Sequence, residues 1–168
     1  MGFCLKHGFA FCWIAAFCVS YGAELIGVVT KVSDGDTVWV TVNGCRREKV
    51  RLNRIDAPES DQPYGKAAAE RLKELVSGKS VCVVYEDTDR YGRILGTVHL
   101  EGNDINLQML SEGCAWHYKY YDTTKSYADA ESEARFAKRG LWAARNPVNP
   151  HEWRKVKRDR RKVGRCWR

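Results

Sequence analysis

The sequence has no Cys-x-x-Cys pair among its seven cysteines, so neither zinc-ligand spacing nor a dithiol redox centre is indicated. It has no internal repeat, and 168 residues suffice for one domain with its own core. Past residue 19 no apolar run approaches the roughly 20 residues a membrane helix needs. The body is also short of excess charge. Residues 23–153 hold 18 Lys/Arg against 20 Asp/Glu, which excludes a generic DNA-coating protein. Any chemistry must therefore rest on particular residues.

What is present begins with a leader. Lys6 and His7 precede the apolar run from Phe9 to Val19, and small residues follow at Ser20-Tyr21-Gly22-Ala23. A short basic start, an apolar segment and a small-x-small site describe a secretory signal peptide. Cleavage is expected after Gly22, with the alternative after Ala23; an uncleaved anchor is the other reading. Residues 1–22 are thus read as signal, 23–150 as the folded domain and 151–168 as a basic tail. The mature protein is expected to be secreted or periplasmic, with no stable membrane insertion. Cys45, Cys82, Cys114 and Cys166 remain after cleavage, and three disulfide pairings are open to them. The formal charge of +7 lies mostly in the tail, where nine Lys/Arg face one acid, Asp159, from Arg154 to Arg168. Such a tail is either a solvated end or a device that holds nucleic acid electrostatically.

Periodicity sets the fold class. Leu25–Val32 is rich in β-branched residues, Thr37–Val42 alternates, and Asn43-Gly44 is a hairpin turn signal. Arg46–Ile55 returns as a third strand. Ala68, Leu72, Leu75 and Val76 share one helical face within Tyr64–Val76, and Gly78 suits its stop. Val81–Tyr85 and Ile94–Leu100 are two further strands, followed by a short helix over Asn103–Glu112. A last helix is expected over Ser126–Arg139, with Ser126-x-x-Asp129 as a capping box and Gly140 as its end. Leu141 and Trp142 are expected to fold back onto the core. The predicted class is α+β, predominantly β: a five-stranded OB-fold-type barrel with about three helices packed against it.

Three polar segments carry candidate chemistry. Ser33-Asp34-Gly35-Asp36-Thr37 joins the first two strands. In Arg51-Leu52-Asn53-Arg54-Ile55-Asp56-Ala57-Pro58-Glu59 a strand ends in two carboxylates around a proline-stiffened bend. Pro58 fixes its own φ and biases Ala57 towards extension, which holds Asp56 and Glu59 in a set relation. Arg51 and Asp56 are five apart and so start on opposite strand faces. Asp89-Arg90-Tyr91-Gly92-Arg93 presents an arginine at a strand start, and its planar fork suits phosphate.

With Val50-Arg51-Leu52-Asn53-Arg54-Ile55-Asp56-Ala57-Pro58-Glu59 and Glu133-Ala134-Arg135-Phe136-Ala137-Lys138-Arg139-Gly140-Leu141-Trp142, these strings resemble the thermonuclease family, the staphylococcal-nuclease-like domains, from about Val28 to Trp142. The resemblance implies that Asp36 and Asp56 bind Ca²⁺ through carboxylates and that Ala57, often threonine in the family, does so through its carbonyl. Glu59 would orient or deprotonate the attacking water, while Arg51 and Arg93 would clamp the phosphate. It further implies hydrolysis of DNA and RNA with little sequence preference, leaving 3′-phosphates. Trp116-His117-Tyr118-Lys119-Tyr120-Tyr121 packs aromatics beside a base, and aromatic faces stack bases; family members hold the nucleotide with tyrosines and a lysine near this segment, so the resemblance implies that role for Lys119 and Tyr121. Glu59 already fills the role of base, so His117 is not needed as one. A monomer is expected. The competing readings are a non-catalytic OB-type binding module and a protein whose main binding device is its tail.

Overall fold

The computed structural model describes residues 22–163. The expected signal peptide, apart from Gly22, and Cys166 lie outside the described residues. The first three strands are β1 (Ala23–Asp34), β2 (Thr37–Val42) and β3 (Arg46–Leu52), a meander of antiparallel neighbours. A two-residue strand β4 (Ile55–Asp56) leads to helix α1 (Gly65–Val76). Strand β5 (Ser80–Thr88) then returns beside β1, and β6 (Ile94–Leu100) pairs with β5. β6 pairs in parallel with β3, Val50 opposite Ile94 and Leu52 opposite Gly96, and this pairing closes the five strands into a barrel. Irregular register in β1 between Val29 and Lys31, and between Val32 and Asp34, supplies local bending of the kind closure demands.

The rest of the chain covers the barrel. β7 (Asn103–Asp104) is an added edge strand, followed by α2 (Ile105–Ser111), the short β8 (Trp116–His117) and α3 (Lys125–Phe136). A 3₁₀ turn (Gly140–Ala143) and α4 (Pro150–Val163) complete it. Alternation along β2 and β3 sends Val38, Val40, Val50 and Leu52 inward, where Ala68, Leu72 and Val76 of α1 and Met109 and Leu110 of α2 meet them. Leu75 is only partly covered. No helix among the described residues is long and apolar enough to cross a membrane.

Three expectations need correction. The third strand does not run to Ile55: it stops at Leu52, and Arg54 takes a left-handed φ of 63°. Asn103–Asp104 is strand rather than helix, and Asp104 caps α2 by accepting from Leu107 N–H at 2.9 Å. The capping box at Ser126 is not formed. α3 starts after Thr124, and Asp129 pairs one turn back with Lys125 at 2.5 Å. Leu141 and Trp142 are buried in a second small cluster with Ala134, where the Arg135 guanidinium lies 3.9 Å from the Trp142 ring centroid. The tail, up to Val163, is helical. Among the described residues Cys45, Cys82 and Cys114 form no disulfide with one another.

Candidate active site

The site forms where the β1–β2 turn meets the end of β3. Gly35 lets that turn approach: a Cβ there would sit 2.7 Å from the Ala57 Cβ and 2.9 Å from the Ala68 Cβ. The turn thus delivers Asp36, a buried residue, against the Asp56–Glu59 segment. Asp36 Oδ2 accepts from Ala57 N–H at 2.8 Å and Oδ1 from the Thr37 hydroxyl at 3.2 Å. The Asp36 carboxyl is pushed up to about 7, chiefly by burial; the Arg51 charge opposes the rise, and the nearby carboxylates of Asp34 and Asp56 add to it.

Arg51 links the two buried carboxylates. Its Nη1 is 2.9 Å from Asp36 Oδ2, and its Nη2 donates to Asp56 Oδ1 at 2.9 Å. Nη1 also donates to the carbonyls of Leu52 at 3.0 Å and Ile55 at 3.1 Å. The opposite-face objection is removed by the left-handed Arg54, which turns the chain before β4 and brings Asp56 back beneath the guanidinium. That turn is itself anchored. The buried Asn106 donates to Asn53 O and Oδ1, both at 3.0 Å, and to Gly96 O at 3.1 Å. Sequence reading missed Asn106; its only signal is a polar residue in the second position of an otherwise apolar helix start.

Glu59 is placed by backbone packing. A Cβ on Gly65 would lie 1.8 Å from the Glu59 carbonyl oxygen, so only glycine allows α1 to begin there. Gln62 closes the bend, accepting from Glu59 N–H at 3.1 Å and donating its own N–H to Glu59 O at 2.8 Å. The Glu59 side chain is 39% exposed, against 2% for Asp56, so it faces the solvent from which a water would come. A second guanidinium, that of Arg154 on α4, reaches both: it donates to Glu59 Oε1 at 2.7 Å and to Asp56 Oδ2 at 2.7 Å. Arg154 was read only as part of the tail's charge, because no local pattern links it to residues 95 and 98 positions away.

The structure therefore brings Asp36, Arg51, Asp56, Ala57 and Glu59 together. It does not bring Arg93 onto them: among the described residues Arg93 is held in its own turn by Asp89, Nε to Oδ2 at 2.7 Å. The β3–β6 register still sets Arg93 one residue before Ile94, beside the strand that carries Arg51. Tyr121 and Lys119 lie along an open cleft of about 730 Å³ that also takes in Trp116, Tyr118, Arg135 and His151. Tyr121 is 73% exposed and stacks edge-on with Tyr118 and Tyr120. Lys119 pairs with the buried Glu131 at 2.8 Å.

Among the described residues no group of three or more His, Cys, Asp or Glu is arranged to hold a metal ion. Asp36 and Asp56 supply two carboxylates, and Arg51 holds them toward a common point. An all-oxygen set built on these two carboxylates fits a hard divalent cation that completes its shell with water; it does not fit a thiolate- or imidazole-seeking metal.

Residues 49–144 match the family model described as staphylococcal nuclease homologue. The chain is 44% identical over 133 residues to an uncharacterized endonuclease of Escherichia coli, spanning 79% of this chain and 86% of that protein. It is 41% identical over 127 residues to an uncharacterized endonuclease of Haemophilus influenzae, spanning 76% of this chain and 71% of that protein. A probable staphylococcal-like nuclease of Oryza sativa subsp. japonica is 47% identical over 114 residues, which are 68% of this chain but only 34% of the plant protein.

Proposed function

The chain belongs to the staphylococcal nuclease homologue family, and from that premise we propose that it is an exported calcium-dependent nuclease. It hydrolyses phosphodiester bonds of DNA and RNA with little sequence preference and leaves 3′-phosphates. The observation that carries this reading is the meeting of two buried carboxylates, a guanidinium that bonds both, and a third, exposed carboxylate.

Asp36 and Asp56, with the Ala57 carbonyl, would hold Ca²⁺. When bound, the ion supplies Lewis-acid stabilisation of the charge that builds on the phosphoryl oxygens. Glu59, the most exposed of the three carboxylates, takes the proton of the attacking water. Water oxygen bonds to phosphorus while the bond to the 5′-oxygen breaks, so the phosphate stays on the 3′ side and the leaving oxygen gains a proton. Arg51 is preorganised by four acceptors and meets the developing charge without reorganising. Arg93, released from Asp89, closes on the phosphate from the neighbouring strand. Lys119 and Tyr121 hold the nucleotide, and an exposed tyrosine that stacks any base accounts for weak sequence preference. All these groups come from one chain, so a monomer suffices.

The donor set also supports a location. Lean oxygen sites bind calcium with dissociation constants of about 10⁻⁴–10⁻³ M, which fits calcium-rich surroundings outside the cytosol. The signal-like leader points the same way, to a secreted or periplasmic protein. Replacing Glu59 with Ala tests the whole reading against that of a pure binding module. Single-stranded DNA should still bind, cleavage should drop about 10²–10⁴-fold, and wild-type products should accept phosphatase treatment at their 3′ ends. Cleavage unchanged in the variant, or absent from the wild type in calcium, would overturn it.

A further inference from the structure

Arg154 has no part in the chemistry just derived, yet its guanidinium sits among the carboxylates that perform it. Nη1 donates to Asp56 Oδ1 at 3.1 Å and to Glu59 Oε1 at 2.7 Å; Nη2 donates to Asp56 Oδ2 at 2.7 Å. This is a fork on one carboxylate with a third bond to its neighbour, the strongest geometry an arginine can make. Burial opposes the charge on Arg154, but the bonds to Asp56 and Glu59 outweigh it and hold the guanidinium more firmly protonated than usual.

The helix that carries it is built to arrive there. Pro150 opens α4, and Asn149 accepts from His151 N–H at 2.9 Å through its side chain and from Trp153 N–H at 3.0 Å through its carbonyl. Gln62, the residue that closes the Glu59 bend, donates to Val148 O at 2.6 Å. Trp153 Nε1 donates to Asp61 Oδ1 at 3.4 Å, and Lys157 pairs with the same carboxylate. Trp153, Arg154 and Lys157 share one helical face, and all three bond within the segment from Asp56 to Asp61.

Charge makes the arrangement exclusive. Asp36, Asp56 and Glu59 face two guanidinium groups, and both Asp56 oxygens are taken. A divalent cation on Asp56 must displace an N–H from one of them and would then lie within a few ångströms of a like charge. Resting on the calcium reading above, we propose that α4 is an intramolecular competitor for the metal site. Arg154 occupies Asp56 and Glu59 until a divalent cation drives it off, and the helix loosens with it. Docking and metal binding are then linked reciprocally: each weakens the other by the same factor. While Arg154 is seated, its Nη1 occupies Glu59 Oε1, where the attacking water would have to bond. The helix thus sets the cation concentration at which the site becomes competent, above what the carboxylates alone would require.

Calcium titration of the full chain by calorimetry, with hydrogen exchange of residues 150–163 read alongside, tests this. Arg154→Ala should bind calcium about tenfold more tightly than wild type, the scale of one charge-assisted pair. Saturating calcium should reduce the protection of α4 amides in the wild type. Asp61→Asn, which loosens the helix without touching either site carboxylate, should shift affinity the same way by less. Equal calcium affinity in all three proteins, or α4 protection untouched by calcium, would overturn the competition while leaving the calcium reading intact. No calcium binding in any of them would instead remove the calcium reading, and the competition with it.

Discussion

Asp56 and Trp116 face each other across the β4–β8 pairing, and two regions of opposite construction begin there. On one side the carboxylate cluster is buried and bonded at nearly every atom. Asp36 and Asp56 share Arg51, Asn106 ties down the turn between them, and Gly35 and Gly65 permit contacts no side chain would allow. On the other side Tyr120 and Tyr121 stand in solvent and touch chiefly each other and Tyr118. Groups that must meet a transition state within a fraction of an ångström are over-determined. Groups that must accept any base are left adaptable. Substitutions in the first region should change rate and stability together, and those in the second only binding.

The largest effect is expected at Arg51. Arg51→Ala leaves two buried carboxylates without their shared partner, so urea unfolding should show a loss of about 3–5 kcal/mol. DNA digestion should fall about 10³–10⁵-fold. An Arg51→Ala protein that loses activity at full stability would break the contrast. Glu59→Gln sharpens it from the rim of the cluster: digestion should fall about 10²–10⁴-fold, while stability moves by no more than about 1 kcal/mol, as for exposed pairs.

Asp36 shows what the buried region costs. Its folded pKa is raised from 3.8 to about 7, so between those values the folded state holds a proton the unfolded state has lost. Stability is therefore lost as pH rises through that window. In chelator, Asp36→Asn should gain thermal stability relative to wild type from about pH 4 upward, levelling off above about pH 7. A gain that shrinks with rising pH would reverse the sign and refute the burial argument. The smallest effect belongs to the exposed side: Tyr121→Ala should raise KM about tenfold, the scale of one lost stacking contact, with kcat and unfolding midpoint unchanged.

What was legible in the sequence follows the same division. The α1 face of Ala68, Leu72 and Val76 was readable because one side of the helix is buried and period alone reports that; β2 and β6 were readable as short apolar runs bounded by turn signals. Asp36, Arg51, Asp56 and Glu59 were readable because short local strings carry them. The relation of Arg51 to Asp56 was not, since strand parity argued against it and only the left-handed Arg54 reverses parity. Asn106 was hidden because its partners, Asn53 and Gly96, come from other elements. Arg154 was hidden most deeply: in a run rich in Lys and Arg nothing distinguishes the one residue whose helix phase points at Asp56.

The most direct test of the whole site is the initial rate at which the purified chain digests single-stranded DNA in calcium and in chelator, measured alongside Asp56→Asn. Rapid digestion in calcium that vanishes in chelator and in the variant is expected. Digestion that survives chelation, or that persists when Asp56 is changed, would contradict a reaction built on these carboxylates.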